Sequence, residues 1–428
     1  MKRPYYLFSN GRLCRRQNTL CLERATDARS PGAEVPGDGL PMSEVPTRSE
    51  VSSISEGPTR AGPKRPEGGD DAMAVSAVEE ASAGEESSTG EGDAEDSPAE
   101  GTERPGDDGR PSGDLTGKKV PFPVESAESI YCFGEIDVNS KLVAFLSEHK
   151  VPLFFFDYYG NYTAGLYPKE HLLSGRLTVE QVRHYTDQDR RLRLARAFVT
   201  AALANIRRVL RYYASRLDDG ADAVADAIQA IESLREEAAE AGDTASLMDL
   251  EGRARRRYYR TWLTLIGDAA GFSFDQRSRQ PPSNPLNALI SFGNSLCYSV
   301  ALRQLYHTAL DPTVSYLHEP GDRRFSLALD LAEVFKPLLV DRAIFRLVKT
   351  RQIQPDDFED RLGGVYLTES GRKTFVEHWD ERLRQTIEHR TLGRKISYER
   401  LVRLDAYRLV RHLCDPDADP YEGFQMWW

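Results

Sequence analysis

No run in these 428 residues approaches the roughly 20 consecutive apolar positions of a membrane-spanning helix, so no transmembrane protein is expected. The opening Met1-Lys2-Arg3-Pro4-Tyr5-Tyr6-Leu7-Phe8 has no long apolar stretch behind it and does not read as a signal peptide. Cysteine is scarce. Cys14, Cys21, Cys132, Cys297 and Cys414 are odd in number and scattered, with no C-x-x-C pair. That pattern excludes a disulfide framework and a structural zinc site, and it points to a reducing cytoplasm. A G-x-G-x-x-G turn, a GKS or GKT phosphate loop and a Ser-His-Asp order are all missing, which argues against a nucleotide-hydrolysing motor.

Aromatic residues are missing from one long segment. Residues 27–117 contain no Phe, Tyr or Trp and are rich in Gly, Pro, Ser and Glu. Such a segment cannot bury enough apolar surface to offset its ordering entropy, so it is expected to be disordered. It carries 22 Asp plus Glu against 7 Lys plus Arg, a net charge of −15. The whole chain is at −11, which leaves the remainder at +4. The overall acidity therefore misleads, because the part that can fold is mildly basic, as a DNA-binding body can be.

Structure is expected on both sides of that segment. Residues 4–25 read as a short strand, a turn at Ser9-Asn10-Gly11 and a second strand. Val120–Val124, Ser129–Phe133 and Val151–Phe156 read as strands, Asn139–His149 as a short helix, and residues 158–163 as a hairpin turn. The acidic segment is thus an insertion within a β domain, which spans 1–26 and 118–170. From about Thr178 the apolar spacing becomes helical. Helices are expected over Asp189–Arg211, Asp222–Ala241, Leu286–Ala309, Asp341–Val348, Glu369–Glu388 and Tyr398–Leu413. The fold class is α+β, with a small N-terminal β domain followed by a larger all-α domain over residues 171–428.

Three residues stand in contexts that suit a metal site. Ser246 and Asp249 fit a capping box that starts a helix carrying Glu251. His318 lies where a helix is expected to end in the Pro320-Gly321 turn. Phe325–Glu333 reads as a new helix, on which Asp330 and Glu333 share one face. Carboxylates among Leu327, Leu329, Leu331, Val334 and Phe335 need a reason, since buried unpaired charge is costly. Two acids and one imidazole offer hard oxygens and one nitrogen, which suits Mg²⁺ or Mn²⁺ and phosphoryl transfer on a nucleic acid. The plain alternative is a helix-end histidine and two salt-bridged acids.

The words LMDLEGRARRRYY, PPSNPLNALISFGNSLCYSVALRQLYHTALDPTVSYLHEPGDRRFSLALDLAEVFKPLLVDR and the terminal MWW resemble the family of CRISPR-associated protein one, the integrase of spacer acquisition. The similarity covers residues 1–25 and 118–428. Asn294 and Lys336-Pro337 look most like the subtype I-B branch. The resemblance implies a β-sandwich-like N-terminal domain and a helical catalytic domain. It implies that Glu251, His318 and Glu333 bind the metal and are catalytic, with Asp330 matching an acid near the same site. It also implies an endonuclease that joins 3′-hydroxyl ends of protospacer DNA to a CRISPR repeat by transesterification. The implied assembly is a homodimer, two of which flank a dimer of a small second CRISPR-associated protein. Two rival functions remain at this point. One is a general repair or recombination nuclease on branched DNA, and the other a non-enzymatic DNA-binding scaffold.

Other features carry two readings each. The run Arg253–Arg260 is either a solvated helix face or a phosphate contact, and Arg255 sits where it can orient Glu251. Arg323 and Arg324 raise the same question. Tyr258, Tyr259 and Trp262 read as core more than as base-stacking groups. Asn284 reads as a turn residue or cap, and His307 as a packing residue.

Overall fold

The computed structural model describes residues 2–17, 19–24, 119–169, 172–217, 220–267, 271–278, 281–321, 325–361 and 363–427. The expected disorder of 27–117 and the roles considered for Arg323 and Arg324 lie outside these residues.

The N-terminal part opens with β1 (Arg3–Leu7), β2 (Gly11–Arg16) and β3 (Thr19–Arg24), and resumes with β4 (Lys119–Pro123). β5 (Ala127–Cys132), β6 (Ile136–Asp137), α1 (Ser140–Glu148), β7 (Leu153–Phe156) and β8 (Tyr162–Leu166) follow. One sheet has the order β1-β5-β7-β8 and the other β4-β3-β2-β6. The first 24 residues thus contain three strands where two were expected, because the chain changes sheets at Ser9-Asn10 and then turns back through Gln17, which adopts φ 52°. β3 and β4 pair antiparallel, with Glu23 opposite Lys119. The strands that flank the acidic segment are therefore hydrogen-bonded neighbours.

Burial explains why the end of β5 and all of β7 are apolar without alternation. Ile130, Cys132 and Leu153 join Leu13, Leu20, Leu22, Leu142, Phe145 and Leu146 in a core shared by the two sheets and α1. Tyr131, Phe154 and Phe156 point the other way, into the helical core. A sheet covered on both faces reads as a continuous apolar run. The join to the helices also contains a buried Arg303, whose Nη1 donates to Ser129 Oγ at 2.7 Å and which pairs with Glu399. Gly160, with φ +80°, turns the β7–β8 connection where a Cβ would collide with the Phe292 ring at 2.3 Å.

The helical part consists of α2 (Gly175–Thr186), α3 (Gln188–Ala214), α4 (Ala221–Glu240), α5 (Thr244–Arg260), α6 (Trp262–Ile266), α7 (Pro285–Tyr306), α8 (Ser326–Lys336) and α9 (Arg342–Lys349). A π-helical segment, Pro337–Asp341, joins α8 to α9 without a break. β9 (Phe358–Arg361), β10 (Gly364–Leu367), α10 (Glu369–Arg384), β11 (Thr386–Glu388), β12 (Lys395–Ser397) and α11 (Tyr398–Cys414) complete it. The all-α expectation for this part needs correction, since β9–β10 and β11–β12 are antiparallel hairpins. Both are short and lack strong apolar alternation, and the second takes the residues expected to end α10. α7 is buried almost all round and begins at the cap Asn284, whose side chain accepts from Asn287 N at 2.9 Å. Gly293 on α7 lets the π segment come close, since a Cβ there would meet Val340 at 2.4 Å. Among the described residues no helix is long and apolar enough to cross a membrane.

Candidate active site

α5 starts one turn earlier than the capping-box reading placed it. Asp243 is the cap, accepting from Ser246 N at 2.7 Å, and Ser246 Oγ donates back to Asp243 at 3.0 Å. Two turns on, Glu251 projects from the same helix. Arg255, one turn further, donates its Nε to Glu251 Oε1 at 2.6 Å. Its Nη2 donates to Glu333 on α8. One guanidinium thus ties together two carboxylates from separate helices. Lys336, three residues beyond Glu333, pairs with the other oxygen of that carboxylate.

His318 is not at a helix end, because α7 has stopped at Tyr306. It lies in an irregular loop, and Asp330 determines where. This fully buried carboxylate accepts from Tyr316 N at 2.7 Å, Leu317 N at 3.0 Å and His318 N at 3.0 Å. Its Oδ1 also lies 2.7 Å from His318 Nδ1. Ser315 Oγ donates to the His318 carbonyl at 2.6 Å. The loop that carries the imidazole is therefore wrapped round one side chain of α8. With Nδ1 committed to a carboxylate, Nε2 is the ring nitrogen left for a ligand, an arrangement found behind many metal-binding histidines.

The electrostatics follow from these contacts. Burial alone would push Glu333 up, but Lys336 and Arg255 outweigh it and bring its pKa down to about 2. Burial would likewise lower His318. The Asp330 hydrogen bond and charge, with Glu333 behind them, hold it above its usual value instead. Beneath the cluster, burial pushes Asp341 at the end of the π segment up to about 7, against the pull of Arg255 and Lys336. The Tyr258 hydroxyl faces that carboxyl. Tyr258 and Trp262 are fully buried and Tyr259 packs against the same core, as the core reading expected. His307 is the C-cap residue of α7.

The structure brings Glu251 and Glu333 together on Arg255 and sets His318 within electrostatic reach of Glu333. Among the described residues, no three His, Cys, Asp or Glu side chains are gathered closely enough to hold a metal ion. Arg255 and Lys336 are ion-paired to the two acids. The donor types still fit a hard divalent cation, with Glu333 held ionised by its basic partners, the Glu251 carboxylate beside it and an imidazole whose other nitrogen is anchored. Asp330 as the clamp of the loop and Lys336 as a partner of Glu333 were not assigned from sequence. The i,i+3 spacing of Glu333 and Lys336 was a legible signal for the second.

A helical body with its acid cluster, set against two small sheets, has counterparts among solved structures. A CAS1 protein from Thermotoga maritima superposes with TM-score 0.68 at 29% identity, covering 99% of this chain and 100% of that one. A casposase bound to integration product shares the fold at 16% identity and TM-score 0.65, covering 97% and 91%. The class is that of the CAS1 proteins. In sequence, the family model described as "CRISPR associated protein Cas1" matches residues 113–381. A protein of Moorella thermoacetica named CRISPR-associated endonuclease Cas1 2 is 47% identical over 306 residues, 72% of this chain and 91% of its own length. The chain belongs to the CRISPR associated protein Cas1 family.

Proposed function

We propose that this chain is the integrase of CRISPR adaptation, joining 3′-hydroxyl ends of protospacer DNA to a CRISPR repeat by transesterification. The observation that carries the reading is the convergence of Glu251 and Glu333 on Arg255 beside a histidine clamped by Asp330, in a chain of this family. Glu251, His318 and Glu333 would hold Mg²⁺ or Mn²⁺. The ion, when bound, stabilises charge on the attacking and leaving oxygens. Glu333 is ionised at any physiological pH and needs no deprotonation to serve as a ligand. Asp330 acts through His318, fixing the ring's orientation and tautomer. Arg255 and Lys336 offset the like charge of the two acids.

The sheets, from residues 1–26 and 118–170, form a sandwich-like unit on this reading and pair two subunits. Residues 171–428 form the catalytic unit. Two such homodimers flank a dimer of the small second CRISPR-associated protein, in the cytoplasm, and the subtype is I-B. The mildly basic charge of the sequence outside 27–117 supports DNA as the ligand.

The test is an integration assay on a repeat-containing plasmid, with and without metal and the small partner. Joining that depends on both is expected. Glu251→Ala and His318→Ala are expected to abolish it while circular dichroism stays native, because each removes a ligand rather than core packing. Retained joining by His318→Ala in Mn²⁺ would sink the metal assignment. Cleavage of branched DNA without preference for a repeat would favour a repair nuclease. Full DNA binding in chelator with no activity in Mn²⁺ would favour a scaffold.

A further inference from the structure

A second charged site lies outside the acid cluster. A cavity of about 360 Å³ is lined by Tyr212 of α3, Arg342 of α9, Arg382 of α10, Gln385, Thr386 and Ile387 at the start of the second hairpin, and Tyr398 of α11. No acid lines it. Arg382 is only 7% exposed. Its Nε and Nη2 donate to the Leu338 carbonyl at 3.2 and 3.0 Å, and its Nη1 to Gln385 Oε1 at 2.7 Å. Every one of these acceptors is neutral. Among the described residues no carboxylate forms an ion pair with Arg382.

A guanidinium this buried without a counter-charge is costly. The surroundings add positive charge. Arg342 sits over the Tyr212 ring at 4.4 Å and Arg216 over the same ring at 3.8 Å. Arg382 itself lies over Tyr398 at 4.0 Å. Burial and the like charge of Arg342 lower the basicity of Arg382, against the pull of the Tyr398 hydroxyl, which also hydrogen-bonds it, and of Tyr213. The aromatic rings hold the guanidinium planes in place, and Thr386 is part of the lining. Planar, pre-oriented guanidinium groups with an open cavity between them match the oxygens of a phosphate.

We propose that this cavity is a phosphate-binding site, with Arg342 and Arg382 as its two anion-binding groups. The phosphate comes either from the backbone of a DNA strand passing outside the active site or from a free phosphate compound. The DNA source rests on the function proposed above, whereas the cavity chemistry does not. The site also reaches the catalytic region. Arg382 grips the carbonyl of Leu338, inside the π segment that follows Glu333 and Lys336.

The experiment uses the full chain, as wild type, Arg342→Gln and the charge-retaining Arg342→Lys. Two readouts are taken on each, calorimetric titration with pyrophosphate and duplex DNA affinity across a salt series. For a DNA contact, Arg342→Gln weakens DNA binding at low salt by about fivefold or more and lowers the log–log salt slope by about one, with Arg342→Lys restoring most of both. For a free phosphate compound, pyrophosphate binds the wild type and is lost in Arg342→Gln, while the salt slope stays put. Either pattern supports the site. Pyrophosphate that fails to bind the wild type, together with an unchanged salt slope in the variant, overturns it. Loss of association with the small partner as the sole effect of Arg342→Gln also overturns it, in favour of an acidic peptide as the occupant. If the wild type binds no DNA at all, the proposed function fails, and pyrophosphate titration still decides the cavity. A variant that does not fold leaves the wild-type pyrophosphate titration and Arg342→Lys to decide.

Discussion

Replacing Asp330 by alanine removes a fully buried carboxylate that accepts three backbone N–H groups and one imidazole N–H. Hydrogen bonds to a charged group are worth about 1.5–3 kcal/mol each, and orphaned buried donors cost about 1–3 kcal/mol each. Tyr316 and Leu317 stay buried at 0% and 3% exposure, so their amides cannot simply turn to water. After allowance for loop relaxation and entry of a water, a loss of roughly 3–5 kcal/mol is expected, at the severe end for a single substitution. In a folded body of this size that lowers the melting temperature by about 6–10 °C. The same change frees the His318 ring, and losing such a support to a metal ligand costs about 10–100-fold in activity or metal affinity. Scanning fluorimetry and the strand-joining assay, run side by side with His318→Ala, separate the two effects. Asp330→Ala loses both stability and activity, whereas His318→Ala loses activity with its melting temperature nearly unchanged. An Asp330→Ala protein that melts within about 1 °C of the wild type would refute the clamp, given the hydrogen-bond energies involved.

Three further outcomes follow from the same contacts. Arg255→Ala leaves Glu251 without its ion pair and Glu333 with Lys336 alone, so its melting temperature falls in chelator and recovers towards wild type in Mn²⁺; a deficit equal in both conditions would count against the shared-cation role. Asp341 holds its proton to about pH 7 in the fold but only to the usual Asp value near 4 when unfolded, so its contribution to wild-type stability falls as pH rises between about 4 and about 7. Asp341→Asn flattens that slope, and urea midpoints at pH 5 and pH 8 that differ as much as in the wild type would refute the assignment. Replacing residues 25–118 with a short Gly-Ser turn preserves the melting transition, because Glu23 and Lys119 are already opposite one another and loop closure grows only slowly with length; failure of the shortened chain to fold would show that the segment supplies needed structure.

Much of the fold was legible because it rests on local signals. The helices around Phe198, Leu296 and Val402 announce themselves by apolar spacing, and Asn284 and the Gly160 turn by residue type. The errors fall where the deciding partner is remote in sequence. β1 and β2 looked like a hairpin, yet β1 pairs with β5, about 125 residues later. The β9–β10 and β11–β12 hairpins have too few residues to display a period. At the site, Glu251, His318 and Glu333 were named from resemblance, and Arg255 as a partner of Glu251 from the i,i+4 spacing. That Arg255 also reaches Glu333 depends on how α5 and α8 lie against α3, which no spacing reveals. Asp330 was visible as an acid in an apolar helix. Its purpose was hidden because its partners are the amides of a loop before the helix begins.

The division of these contacts between helices determines how the centre can deform. Asp330 and Glu333 ride on α8 about 4.5 Å apart along its axis, at 1.5 Å per residue. The His318 loop is fastened to the first of them, so imidazole, clamp and one acid move as a single piece. Glu251 belongs to another piece, α5, which packs on α3 and α4, whereas α8 packs on α3 and α7. The centre is thus a jaw with one jointed side, and Arg255 is the pin across the joint. A small slide of α5 changes the spacing of the two acids and leaves the other half undisturbed. Substitutions at buried apolar positions of α5, such as Leu247 or Ala254, are therefore the handle by which the gap between the acids can be widened or narrowed without touching a single polar group.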